Sequence, residues 1–166
     1  MSKLRRIAQQ DRYFFVTTNI AADVRGFSPS ERTLILKSLS QCREKLAFKV
    51  FAYVAMPSHA HILLEPMENE LSSVVRSFKS DSARKINYLR ATNGPLWQPR
   101  FFDAICRHVK NFSANAEYIH RNPVEAGLAK QPEHWKWSSA SQNELLVPDF
   151  IAPADPNTLL WPAPWR

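Results

Sequence analysis

Residues 48–55, FKVFAYVA, the link Met56-Pro57-Ser58 and residues 59–65, HAHILLE, decide the fold. Two apolar runs rich in β-branched and aromatic residues flank a short link, which reads as a hairpin of two strands. Side chains alternate faces along a strand, so His59 and His61 project from the same face, next to each other. Imidazole is a common ligand for divalent metals, but His-x-His spacing equally describes a hydrogen-bonded or solvent-facing pair. The apolar neighbours Ala60, Ile62, Leu63 and Leu64 make the strand central, where unpaired imidazoles are costly.

Working outward, residues 13–20, YFFVTTNI, form an earlier strand. Between it and the hairpin, Ser28-Pro29-Ser30-Glu31 carries an N-cap serine, a proline at the first helical position and a glutamate at the third, a capping box. Ile35, Leu36, Leu39, Cys42 and Leu46 continue that helix at spacings of three and four. After the hairpin, Leu71, Val74, Val75, Phe78, Ser82, Ile86 and Leu89 mark a second helix from about 70 to 91, ended by Asn93-Gly94-Pro95. Residues 100–107, RFFDAICR, read as a fourth strand. The order strand, helix, strand, strand, helix, strand is that of an α+β, ferredoxin-like fold: an antiparallel sheet with two helices on one face. A further helix over 110–122 has Val109, Phe112, Ala116 and Ile119 as its apolar stripe, is interrupted at Asn122-Pro123, and is followed by a short segment closing at Gly127. Residues 1–140 read as a single domain, and 141–166 as a Pro/Trp-rich tail.

Composition narrows the function. The 166 residues fit one domain with a sizeable core. No stretch approaches the roughly 18 apolar residues of a membrane span, and the basic N-terminus is not followed by a signal-type apolar region, so a cytoplasmic protein without membrane contact is expected. Two cysteines are too few for a disulfide framework or a four-cysteine zinc site. The net charge of +7 points to a polyanionic partner. Arg76, Lys79, Arg84, Lys85, Arg90, Arg100, Arg107 and Lys110 concentrate in the middle third, which favours nucleic acid. Trp97, Phe101 and Phe102 beside Arg100 are candidate stacking platforms for unpaired bases, or core aromatics. On the last helix, Tyr118 and Asn122 are four apart and share a face. Spacing alone also fits a core-edge tyrosine and a helix-ending asparagine. His120 and Arg121 beside them are candidate phosphate contacts or plain surface.

Several blocks in order resemble the REP-associated tyrosine transposases, single-tyrosine enzymes of the HUH endonuclease superfamily. They are RYFFVTTN, MPSHAHILLE, SFKSDSARKIN, GPLWQPRFFDAICR, EYIHRNPVEAGLA and HWKWSSA, covering most of the chain. The resemblance maps the family's metal-binding histidines onto His59 and His61, its nucleophile onto Tyr118, and the polar residue completing the metal site onto Asn122. Three features depart from the pattern: Ala60, where a bulkier apolar residue is usual, His108, where an acidic residue commonly follows the arginine, and QQDRYFF, which lacks the glycine often found just before the first strand.

The resemblance implies metal-dependent nicking and strand transfer on single-stranded DNA at hairpin-forming palindromic repeats. Tyr118 would attack a phosphodiester to form a 5′-phosphotyrosine. A phenol ionises near pH 10, so the attack needs help, which Mg²⁺ or Mn²⁺ held by His59, His61 and Asn122 would supply. Arg76, Lys79, Arg84, Lys85, Arg100, Arg107 and Arg121 are the expected DNA contacts, and the chain would act as a monomer or homodimer. Two other readings use the same residues: a hairpin-binding module without chemistry, and a hydrolase in which water replaces the tyrosine as nucleophile.

Overall fold

The computed structural model describes residues 13–107 and 109–149. Its strands are β1 (Tyr13–Asn19), β2 (Lys49–Ala55), β3 (His59–Glu65) and β4 (Phe102–Cys106). Its α-helices are α1 (Pro29–Leu46), α2 (Leu71–Arg90) and α3 (Val109–Glu125). The sheet order is β2-β3-β1-β4 and every pairing is antiparallel, the ferredoxin-like arrangement. The histidine strand is therefore central, as its apolar composition requires.

Side-chain alternation assigns the two faces. Tyr13, Phe15 and Thr17 of β1 are in register with Cys106, Ala104 and Phe102 of β4. On this face Tyr13 meets Phe112, Phe15 meets Tyr118, and Asn115 donates to Cys106 Sγ, so α3 covers it. The alternate residues Phe14, Val16, Ile62 and Leu64 are also buried, and α1 and α2, packed on each other, cover them. Val74, Val75, Phe78 and Ile86 of α2 are buried, each contributing about 1.5–3 kcal/mol.

The capping box at Ser28 forms in full, with the Ser28 side chain accepting from Glu31 N and the Glu31 carboxylate accepting from Ser28 N. Glu31 does more than cap. Buried at the start of α1, it receives the Arg90 guanidinium at 2.7 Å and Arg25 at 3.0 Å, tying the start of α1 to the end of α2.

One expectation is corrected. The last helix is not broken at Asn122-Pro123 but runs on to Glu125. Proline lacks one N–H, and so near the end of a helix it removes a single bond. The second helix has the extent its apolar stripe predicts, ending at Arg90 with Ala91 in the left-handed region, whose N–H returns to Asn87 and Tyr88 carbonyls. Residues 141–149 pack on the sheet: Leu146 is fully buried, its carbonyl accepts from Tyr53 Oη, and Asp149 bonds Val50. With Trp137, whose carbonyl accepts from Ala55 N, this segment covers the free edge of β2. His108 and the rest of the tail, 150–166, lie outside the described residues.

Candidate active site

The two imidazoles of β3 lie with ring centroids 4.7 Å apart on the face covered by α3. Each has its Nδ1 engaged by a hydroxyl. Thr17 Oγ1 is 2.7 Å from Nδ1 of His61, and Ser58 Oγ is 3.1 Å from Nδ1 of His59. That leaves the two Nε2 atoms. His59 Nε2 is 3.3 Å from Oδ1 of Asn122, and His61 Nε2 is buried with no hydrogen-bond partner among the described residues. A buried nitrogen without a partner is expensive unless it serves another purpose.

Electrostatics keep both rings neutral at pH 7. Burial pushes His61 down to about 3, helped by its neighbour His59. Burial also lowers His59, against the opposing hydrogen bond that its Nε2–H donates to Asn122 Oδ1. A neutral imidazole with a free Nε2 lone pair is the ligand form; His61 presents it, while His59 Nε2 donates to Asn122 Oδ1 and would give up that proton to bind a cation.

The donor set fits a divalent cation. At the metal–oxygen distance of about 2.1 Å, adjacent ligands in an octahedron are about 3 Å apart, and His59 Nε2 and Asn122 Oδ1 stand near that separation. Hydroxyls on both Nδ1 atoms supply the outer support that metal-binding histidines need. Among the described residues, no three His, Cys, Asp or Glu side chains cluster as a metal site; a cation held by the two histidines would take its third protein oxygen or nitrogen from Asn122.

Tyr118 stands beside it. Its ring packs edge-on against His61 at 5.4 Å and Phe15 at 5.8 Å, while it remains 45% exposed. One turn further along α3, Asn122 reaches His59. The helical spacing of four thus brings nucleophile candidate and ligand candidate to one side of α3, with Asn122 against His59, sixty-three positions earlier in sequence.

The family described as transposase IS200 like matches residues 12–122. The chain belongs to that family. All four residues of this cluster fall within the matched span, Asn122 as its last. Among relatives of this IS200-like transposase is the REP-associated tyrosine transposase of Escherichia coli strain K12, 25% identical over 141 residues and covering 84% of this chain and 82% of that one. The fold is shared with a solved REP-associated tyrosine transposase bound to a REP hairpin, at a TM-score of 0.69 and 22% identity over 88% of both chains. Among the described residues, no helix is long and apolar enough to cross a membrane.

The remaining predicted residues of this IS200-like transposase separate into two groups. Lys79 donates to the carbonyls of Gln98, Pro99 and Arg100, tying a loop to α2. Arg84 and Lys85 both pair with Asp81 at 2.5 Å, and Lys85 also reaches Gln41. These three and Arg76 are on α2, across the sheet from Tyr118. Arg100, Arg107 and Arg121 are exposed, and Arg121 is held only loosely by Glu117 and Glu125 at 3.8 Å.

Two aromatic and phosphate-contact candidates change role. Trp97 is buried and donates from its indole to Ser82, a core residue. His120 is also buried, with Nε2 2.7 Å from Ser139 Oγ, and cannot meet a phosphate there. Thr17 and Ser58 escaped the sequence reading. Aligning β1 antiparallel to β3 would have found Thr17, which pairs directly with His61.

Proposed function

We propose that this protein nicks and rejoins single-stranded DNA at hairpin-forming palindromic repeats through a 5′-phosphotyrosine on Tyr118. The observation that carries the reading is the convergence of an exposed Tyr118, the two histidines and Asn122 on one sheet face. A REP-associated relative bound to a REP hairpin, sharing this fold, supports the hairpin as substrate.

His59 and His61 through their Nε2 atoms, and Asn122 through Oδ1, would hold the cation. Mg²⁺ or Mn²⁺ there supplies charge stabilisation for the phosphate under attack. Tyr118 Oη loses its proton to solvent as its bond to phosphorus forms. The bond from phosphorus to the 3′ oxygen breaks, and that oxygen takes up a proton as a free 3′-hydroxyl. Attack by another 3′-hydroxyl on the phosphotyrosine reverses the step and joins a new end, so strand transfer needs no external energy source. Phe15 and His61, packed on the Tyr118 ring, restrict its motion and hold it near one attack geometry. All four groups come from one chain, so a monomer suffices for the chemistry, and the cytoplasm is the compartment the substrate implies. Arg100, Arg107 and Arg121 are free to meet the DNA backbone. Arg76, Lys79, Arg84 and Lys85 would contact it only where the strand wraps to the α2 side.

The test mixes protein, Mn²⁺ and hairpin oligonucleotides bearing single-stranded flanks, then looks for a covalent adduct on a denaturing gel. An adduct is expected with wild type and not with Tyr118→Phe or His59→Ala. Hairpin binding without an adduct under any divalent metal leaves a binding module. Cleavage surviving Tyr118→Phe makes water the nucleophile.

A further inference from the structure

We infer that the ring of Phe102 is a stacking platform for an unpaired nucleobase beside the phosphate that Tyr118 attacks. The inference rests on the DNA-processing reading above and adds to it a binding position on β4.

Register supplies the geometry. Thr17 is the cross-strand partner of His61 on one side and of Phe102 on the other. Directly paired residues in an antiparallel sheet share a face, so His61, Thr17 and Phe102 form one row across three strands. Strands lie about 4.8 Å apart, which puts the two ends of the row about 10 Å from each other. Phe102 is thus on the face of the candidate active site, at its open side.

Exposure supplies the reason to look for an occupant. Along the same face of β4, Cys106 is buried and Ala104 half-buried, while Phe102 is 60% exposed. At the other end of the row His61 is only 5% exposed. α3 packs on β2, β3 and the Cys106 end of β4, while Phe102 at the other end of that strand stays exposed. A phenyl ring left largely in water there forgoes much of the stabilisation that burial would give it.

Charge narrows the occupant to a nucleic-acid strand. Arg100 and Arg107, both exposed, stand just before and just after β4. An unpaired nucleotide offers the complementary pattern, a flat π-face flanked by phosphates. An apolar peptide or a second copy of this chain would leave those arginines without a matching anion. Every base has a π-face, so Phe102 holds the strand in place without reading its sequence.

The test compares equilibrium binding of a hairpin with a single-stranded extension to that of the same hairpin blunt-ended, with 2-aminopurine placed along the extension. Phe102→Ala is expected to weaken binding of the extended oligonucleotide by about 5- to 150-fold, the range for loss of one base–aromatic stack. It leaves the blunt hairpin unaffected. Phe102→Trp retains the affinity and the quenching of 2-aminopurine at one position. Phe102→Leu keeps apolar bulk without a π-face and is expected to behave like alanine, which guards against a folding defect. Equal affinity of wild type and Phe102→Ala for the extended oligonucleotide overturns the inference, as does an equal loss on both oligonucleotides. A wild-type dimer that Phe102→Ala converts to monomer also overturns it, assigning the ring to a second copy. Absence of an adduct in wild type, with the extension-dependent loss preserved, sinks the nicking reading and leaves the platform standing.

Discussion

Thr17 Oγ1 lies 2.7 Å from Nδ1 of His61, and this contact determines which nitrogen His61 presents. With Nδ1–H donating to the hydroxyl, the lone pair is on Nε2, the atom that has no other partner among the described residues. Thr17→Val removes the acceptor while keeping the shape. Such outer partners are worth 10- to 100-fold in metal affinity, and a loss of about that size is expected in Mn²⁺ titrations followed by electron paramagnetic resonance. Thr17→Ser restores it. Unchanged affinity in the valine variant would mean that packing against Phe15, 5.3 Å away and nearly parallel, orients the ring without the hydroxyl.

Asn122 contributes a neutral oxygen to the same cluster. Asn122→Ala is expected to lower Mn²⁺ affinity more than Thr17→Val does, since it removes a ligand and not its support. Asn122→Asp keeps the reach and adds a negative charge, so affinity rises above wild type. Isothermal titration separates these outcomes. If alanine and aspartate bind Mn²⁺ alike, Asn122 serves only as the hydrogen-bond partner of His59.

Glu31 gives a stability prediction away from the site. Burial by itself would raise its pKa, but the hydrogen bond from Arg90, the Ser28 backbone N–H and the charges of Arg90 and Arg25 together hold it at about 2. A carboxylate with a depressed folded pKa stabilises the protein fully above its unfolded value of 4.5, and that stability is lost as pH falls towards 2. The shift corresponds to about 3 kcal/mol. Glu31→Gln is expected to cost roughly 3–5 kcal/mol at pH 7 by stranding the buried arginine. It also flattens the melting temperature against pH below 4.5. A parallel acid profile in the variant would assign the acid sensitivity elsewhere.

The sheet order was legible because alternation and turn chemistry are local properties that antiparallel strands carry in their own residues. The histidine pair was legible for the same reason: its period of two fixes its face. Tyr118 and Asn122 needed the resemblance, since a spacing of four describes any helical pair. What stayed hidden was long-range. Nothing local says that Glu31, legible as a helix cap, also neutralises Arg90 fifty-nine positions away. Nor does composition tell that Lys79 and Lys85 would be drawn to carbonyls and Asp81, leaving fewer cations for DNA than the charge count suggests. His120 illustrates the same limit. It sits two residues from Tyr118 in sequence, but a helix turns about 100° per residue, so it faces the core.

That buried position makes His120 a determinant of acid stability. Burial lowers its pKa from 6.5 to about 4. The folded protein thus keeps the ring neutral over a range in which the unfolded chain binds a proton. The sign follows: the contribution is complete above pH 6.5 and declines as pH falls from 6.5 towards 4, by about 3 kcal/mol in all. Its Nε2 meets Ser139 Oγ, which also accepts from Tyr53 N, so protonation stresses the junction of α3 with the β2 edge. His120→Gln can keep a hydrogen bond to Ser139 without titrating. It is expected to lose some stability at pH 8 through imperfect packing, yet to show a shallower fall between pH 6.5 and 4. Urea unfolding at a series of pH values measures both effects. A variant whose stability falls as steeply as wild type in that window would exclude His120 as the group responsible.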